Sequence, residues 1–126
     1  MTLLVYGFLF ENTLKAKEML EAEGYSVTLV NMRCLKPVDE EAILESVSRS
    51  RLLVTIEDHL LTGGLYSIVA ETLLKHRRMT SVLPLALDDR WFRPGLLHEV
   101  LETEGFTAKK ITSRILEELQ PSGISL

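Results

Sequence analysis

Short apolar runs alternate with amphipathic stretches along the chain, regularly enough to predict an element order. Residues 3–6 are uniformly apolar and end at Gly7, which reads as a strand buried on both faces. A loop over 8–12 leads to a helix over 13–23. Ala16, Met19 and Leu20 form its buried face, and Lys15, Lys17, Glu18 and Glu21 face outward. Gly24 stops that helix. Residues 26–32, rich in β-branched side chains, form a second strand. After an extended connection at 33–38, Asp39 is placed to cap a second helix, with Glu40 and Glu41 in its first turn and Ile43, Leu44 and Val47 apolar. A third strand over 51–56 carries Glu57-Asp58-His59 at its C-terminal edge. The helix opening at Gly63-Gly64 has the cleanest periodicity in the chain, with Leu65, Ile68, Val69, Thr72 and Leu73 at i, i+3, i+4, i+7 and i+8. Residues 81–87 are a fourth strand, where Pro84 marks an edge or a bulge. A loop over 88–94, a short helix over 95–102 stopped by Gly105, and a last helix capped by Thr107 follow. Ala108, Ile111, Ile115 and Leu119 form the buried face of that last helix.

Strands alternating with helices in this order predict a three-layer α/β/α sandwich with a mainly parallel sheet of four strands. The domain covers 1–120 and a tail covers 121–126. Ligands or partners of such a sheet meet the C-terminal ends of its strands. Those ends carry Gly7, Arg33-Cys34, Glu57-Asp58-His59 and Asp88-Asp89-Arg90.

Composition narrows the function classes. With 126 residues, 46% hydrophobic and 25% charged, the chain can bury a core as one domain and is not of disordered type. The net charge is -4 and no basic stripe appears, so nucleic acid is not expected as a partner. The basic run Lys75-His76-Arg77-Arg78 falls where a helix ends, where the helix dipole favours cations. Cys34 is the one cysteine, and His59, His76 and His98 lie too far apart for a local zinc pattern. No apolar run approaches the ~18 residues of a membrane span. The N-terminus has neither the basic region nor the cleavage site of a signal peptide, so a cytoplasmic location is expected.

The common chemistries of parallel α/β sheets fit poorly. A dinucleotide site needs a glycine-rich turn after the first strand, yet Phe8 and Phe10 stand there beside a single glycine. A phospho-accepting receiver would need an acidic pair where Tyr6 and Gly7 stand. Ser67 lies inside a helix, not on a sharp turn after a strand. Cys34 has His59 as a partner across strand ends if those ends adjoin; the alternative is a small buried thiol. Glu57 and His59, two residues apart on one side of a strand, suit either proton transfer or an interface hydrogen-bond network. Gly63-Gly64 at a helix start suits either anion binding or close backbone approach.

Taken together, Thr55-Ile56-Glu57-Asp58-His59, then Gly63-Gly64-Leu65-Tyr66-Ser67 and a helix, resembles the C-terminal domain of transketolase, 1-deoxyxylulose-5-phosphate synthase and the β chain of 2-oxoacid dehydrogenases. Other landmarks follow in the order of that family: Tyr6-Gly7; Lys36-Pro37-Val38-Asp39; Asp88-Asp89-Arg90-Trp91-Phe92 with Gly95; and Gly105-Phe106-Thr107 with Ile111. The resemblance spans nearly the whole chain. Two features depart from it. Tyr66 replaces a glycine usual in the family, and the family's first, antiparallel strand has no counterpart here.

The resemblance implies a role in a thiamine-diphosphate-dependent enzyme that transfers ketol groups or decarboxylates 2-oxoacids. Thiamine diphosphate and magnesium would be held by pyrimidine-binding and diphosphate-binding domains or subunits, not by this domain. Its own part would be interdomain packing and assembly of a homodimer, without catalysis; a free-standing regulatory or adaptor protein is the alternative. Glu57, Asp58, His59, Gly63 and Gly64, with Asp89, Arg90 and Phe92, are then the interface candidates, and Lys36, Pro37 and Asp39 would fix the second crossover.

Overall fold

The computed structural model describes residues 1–120; the expected tail over 121–126 lies outside them. Four strands, β1 (Thr2–Val5), β2 (Thr28–Asn31), β3 (Leu52–Leu60) and β4 (Ser81–Leu87), form one sheet in the order β2-β1-β3-β4. All three pairings are parallel. Helices α1 (Phe10–Ala22), α2 (Glu40–Arg49), α3 (Leu65–Lys75), α4 (Leu97–Glu104) and α5 (Ala108–Leu119) complete the order. The chain is the expected three-layer α/β/α sandwich of four parallel strands.

Strand alternation sorts the core into two layers. Leu3, Val5, Val54 and Ile56 join Ala16, Leu20, Ile111 and Ile115 under α1 and α5. Leu4 and Leu53 join Ile43, Leu65, Val69 and Leu73 under α2 and α3. Each wholly buried leucine or isoleucine of these layers stabilises the fold by about 2 kcal/mol.

The punctuation residues act as expected. Asp39 accepts from Ala42 N–H at 3.0 Å, and Thr107 from Lys110 N–H at 3.3 Å. Gly105 ends α4 with φ +82°. Pro84 lies on β4, an edge strand, where a missing N–H is tolerated.

Five expectations need correction. The loop foreseen over 8–12 is largely helical: a 3-10 turn at Gly7–Leu9 runs straight into α1. Met19 is 40% exposed, and the buried face of α1 uses Thr13 instead, whose hydroxyl donates to Leu9 C=O at 2.9 Å. β2 is shorter than 26–32, although the flanking Val27 and Met32 are both buried. β3 does not stop at Ile56: after an irregularity in register it pairs Leu60 with Leu87. Glu57, Asp58 and His59 are therefore strand residues. α4 begins at Leu97 and runs to Glu104, two residues later than foreseen.

Candidate functional site

The C-terminal edge of the sheet is organised by a buried carboxylate. β3 places Thr55, Glu57 and His59 toward α3 by alternation, and Asp58 toward the opposite face. Glu57 has no exposed surface. Its Oε1 accepts from Leu65 N–H at 2.8 Å and its Oε2 from Tyr66 N–H at 2.9 Å. The Tyr6 hydroxyl donates to Oε1 at 3.3 Å. These donors occupy the carboxylate in the absence of any cationic side chain within ion-pair reach among the described residues. Two of them are first-turn N–H groups of α3, which no intrahelical carbonyl can satisfy.

Gly63 and Gly64 make this approach possible for separate reasons. Gly63 has φ +92°, the left-handed conformation that glycine adopts freely. Gly64 is buried against the carboxylate: a Cβ there would collide with Glu57 Oε1 and lie 2.9 Å from His59 Nδ1. Gly64 thus serves close approach of the backbone to the carboxylate, and Gly63 the turn before it. The α3 N-terminus, weighed above as an anion site, already has its Leu65 and Tyr66 N–H groups engaged. Tyr66, a departure from the family pattern, is half-buried and lines a surface groove together with Val69 and Leu73.

Burial and the negative charges of Glu57 and Asp58, with the hydrogen bond to Glu57, push the Tyr6 hydroxyl from its ordinary 10.0 to about 12. Tyr6 went unremarked as a site residue in the sequence. The signal was available once β1 is known to pair with β3, because Val5 is in register with Ile56 and the next residues adjoin.

The two candidate segments at this edge meet in one open groove of about 540 Å³, lined by Asp58, His59, Leu60, Asp89, Trp91 and Phe92 among others. Trp91 is 100% exposed and Phe92 42%. Phe8 is also exposed, whereas Phe10 packs on the core. Arg90 borders the groove, but its guanidinium donates to Glu104 at 2.7 Å and 3.3 Å. That hydrogen bond and the carboxylate charges of Glu104 and Asp88 raise the guanidinium above its ordinary value. The second crossover is fixed by the Asp39 cap and a bridge between Leu35 and Val38, with Lys36 and Pro37 between them.

Of the interface candidates, Glu57 and Gly64 are buried in this chain, and Asp58, His59, Gly63, Asp89, Arg90 and Phe92 are on its surface. Cys34 and His59 do not form a pair. β1 lies between β3, which carries His59, and β2, which Cys34 follows; Cys34 is exposed, not a buried thiol, and His59 Nδ1 lies 2.7 Å from Leu60 O. Ser67 Oγ accepts from Gly63 N–H at 2.7 Å. Among the described residues no three His, Cys, Asp or Glu side chains are grouped to hold a metal.

A parallel three-layer α/β/α domain whose third crossover closes over a strand carboxylate defines the class. The profile of the transketolase C-terminal domain matches residues 1–111, and the chain belongs to that family. It is 38% identical over 118 residues to the 1-deoxy-D-xylulose-5-phosphate synthase of a Synechococcus strain, covering 94% of this chain and 18% of that enzyme. It is 33% identical over 120 residues to a putative transketolase C-terminal section of Methanocaldococcus jannaschii, covering 95% of this chain and 37% of that protein. A solved structure described as a split gene transketolase, inactive β4 tetramer, superposes with a TM-score of 0.85 at 34% identity, over 94% of this chain and 38% of that one. The chain thus spans between about a fifth and two fifths of the length of these relatives. Among the described residues no helix is long and apolar enough to cross a membrane.

Proposed function

We propose that this domain is the C-terminal part of a thiamine-diphosphate-dependent transketolase-type enzyme, and that it serves interdomain packing and dimer assembly without catalysing a reaction alone. One observation carries the reading. Residues 88–99 are exposed without interruption and include Trp91, Phe92, Leu96 and Leu97, beside a groove at the sheet edge where α/β domains meet partners. Exposed aromatics at this density are the composition of an interface core. The relatives support the same reading, since they carry this module as a minor share of a longer protein.

In this reading Asp58, His59, Asp89 and Phe92 touch the partner, with Trp91 as anchor. Glu57 and Gly64 shape the surface from within, the exposed Gly63 forms the turn beside them, and Arg90 holds the 88–92 loop against Glu104. The partner is the segment or subunit that binds the pyrimidine and diphosphate of the cofactor, which supplies the carbanion chemistry when bound. The test is reconstitution. The 126-residue chain is mixed with the thiamine-binding chain of the same source, complex formation is followed by size-exclusion chromatography, and ketol transfer or decarboxylation is assayed with cofactor and magnesium. Activity in the mixture and none in this chain alone is expected. Turnover by this chain alone, or an active partner chain that neither binds it nor gains from it, would overturn the proposal.

A further inference from the structure

A helix N-terminus attracts anions because its first N–H groups lack intrahelical partners and the peptide dipoles leave positive charge there. In this chain that place is taken from within. Glu57 reaches it from the neighbouring strand, wholly buried, with both oxygens held by Leu65 N–H, Tyr66 N–H and the Tyr6 hydroxyl. Gly64 passes so close that even a methyl group would collide with the carboxylate. An acidic side chain is rarely enclosed without a cation, and here backbone dipoles and one hydroxyl take that role.

We infer that Glu57 is an internal anion: it occupies the anion site at the start of α3 in place of any ligand, and is the positioning residue for the first turn of α3, the 61–64 loop before it and His59 on its flank. Between Leu61, whose N–H donates to Leu87 C=O at 3.0 Å, and the buried side chain of Leu65, little else holds the loop. Gly63 N–H bonds Ser67 within the same turn, and Gly63 itself packs no Cβ against any neighbour. Carboxylate contacts to Leu65 and Tyr66 join the loop's C-terminal end to β3. His59 lies against the same loop, with Nδ1 2.9 Å from where a Gly64 Cβ would be, so a displaced loop moves one wall of the Asp58–Trp91 groove. That last consequence, for docking, rests on the function proposed above; the internal anion does not.

The test uses chemical rescue. Glu57→Ala leaves three unpaired donors around a space of carboxylate size, which sodium formate can fill. The melting temperature of the full chain is compared in formate and in chloride at equal ionic strength. Formate is expected to raise that of Glu57→Ala by about 3–6 °C at roughly ten times its dissociation constant. Wild type should show no such difference. Nor should Ile111→Ala, which is destabilised in the other core layer with its carboxylate intact. Identical melting of Glu57→Ala in the two salts would overturn the inference. If that variant does not fold, amide exchange decides. Leu65 and Tyr66 amides should exchange as slowly as the interior of α3 in wild type and roughly tenfold faster in Glu57→Gln, and equal rates would again overturn it. A separate arm measures capture of the thiamine-binding chain, which should fall in Glu57→Ala and return with formate. Because melting and exchange need no partner, a wild-type chain that captures nothing counts against the proposed function and leaves the internal anion standing.

Discussion

Two stretches flank the same groove and are built in opposite ways. From Leu52 to Ile56 every β3 residue is buried, Glu57 is enclosed, and the crossover to α3 closes so tightly that Gly64 admits no side chain. From Asp88 to Glu99 nothing is buried, and α4 contains no fully buried residue at all. What holds the second stretch in shape is polar: Arg90 on Glu104, and Glu99 accepting from Leu96 N–H at 3.0 Å. The first stretch has satisfied its groups internally. The second leaves tryptophan, phenylalanine and two leucines in water, an arrangement whose apolar area gains free energy only when another surface covers it. The contrast separates residues that shape the groove from residues left free to touch what enters it.

The sharpest way to break that contrast is Gly64→Ala. The new methyl collides with a carboxylate held by three donors, so either the Glu57 bonds break or the start of α3 moves. A loss of about 3 kcal/mol is expected by urea denaturation, the upper range of overpacking combined with a disturbed buried charge. The same substitution at Gly95, where a Cβ would meet the far end of the Glu99 side chain at 3.0 Å in the open stretch, should cost far less. Equal losses at the two glycines would show that enclosure is not what distinguishes the two regions.

Trp91→Ala probes the other side. A fully exposed side chain contributes little to folding, so stability should stay within about 0.5 kcal/mol of wild type. If Trp91 anchors the partner, affinity for the thiamine-binding chain should fall by about 2 kcal/mol, roughly thirtyfold, when measured by calorimetry. A variant that loses stability but not affinity would move Trp91 from the interface to the fold.

The division also explains what could be read in advance. α3 and the caps at Asp39 and Thr107 were legible because each is a local signal, a periodicity or an oxygen three residues from its N–H; Pro84 narrowed β4 to an edge or a bulge, and strand order decided for the edge. The end of β3 was not. Glu57-Asp58-His59 look like loop residues because acidic side chains belong outside. The donors that allow Glu57 inside are backbone N–H groups eight and nine residues away, which leave no trace in the side-chain pattern. Thr13 replaced Met19 in the core for a similar reason, since its hydroxyl is satisfied by the carbonyl of Leu9. The candidate segments share one edge of the sheet, but the sequence did not reveal which of their residues face inward. That depended on strand order and on the path of the crossover, both of them tertiary facts.

A smaller effect tests how far the enclosed region reaches. Tyr6 belongs to it through the 3.3 Å bond to Glu57, and its hydroxyl is pushed up to about 12, first by burial and then by the charges of Glu57 and Asp58. The folded chain therefore keeps this proton to higher pH than the unfolded chain, whose tyrosine ionises near the ordinary 10.0. The stabilisation is complete below about pH 10 and is lost as the pH rises toward about 12. Tyr6→Phe removes both the bond and the ionisation. At pH 8 it should cost about 1.5 kcal/mol, the low end for a hydrogen bond to a charged group because the bond is long. As the pH rises to 11 wild type loses stability through Tyr6 and the variant does not, so the gap between them should narrow, as read from urea midpoints across that range. A gap that stays constant would mean that Tyr6 titrates alike in both states. Its bond to Glu57 would then not form in solution, and the enclosed region would end at β3, without reaching β1.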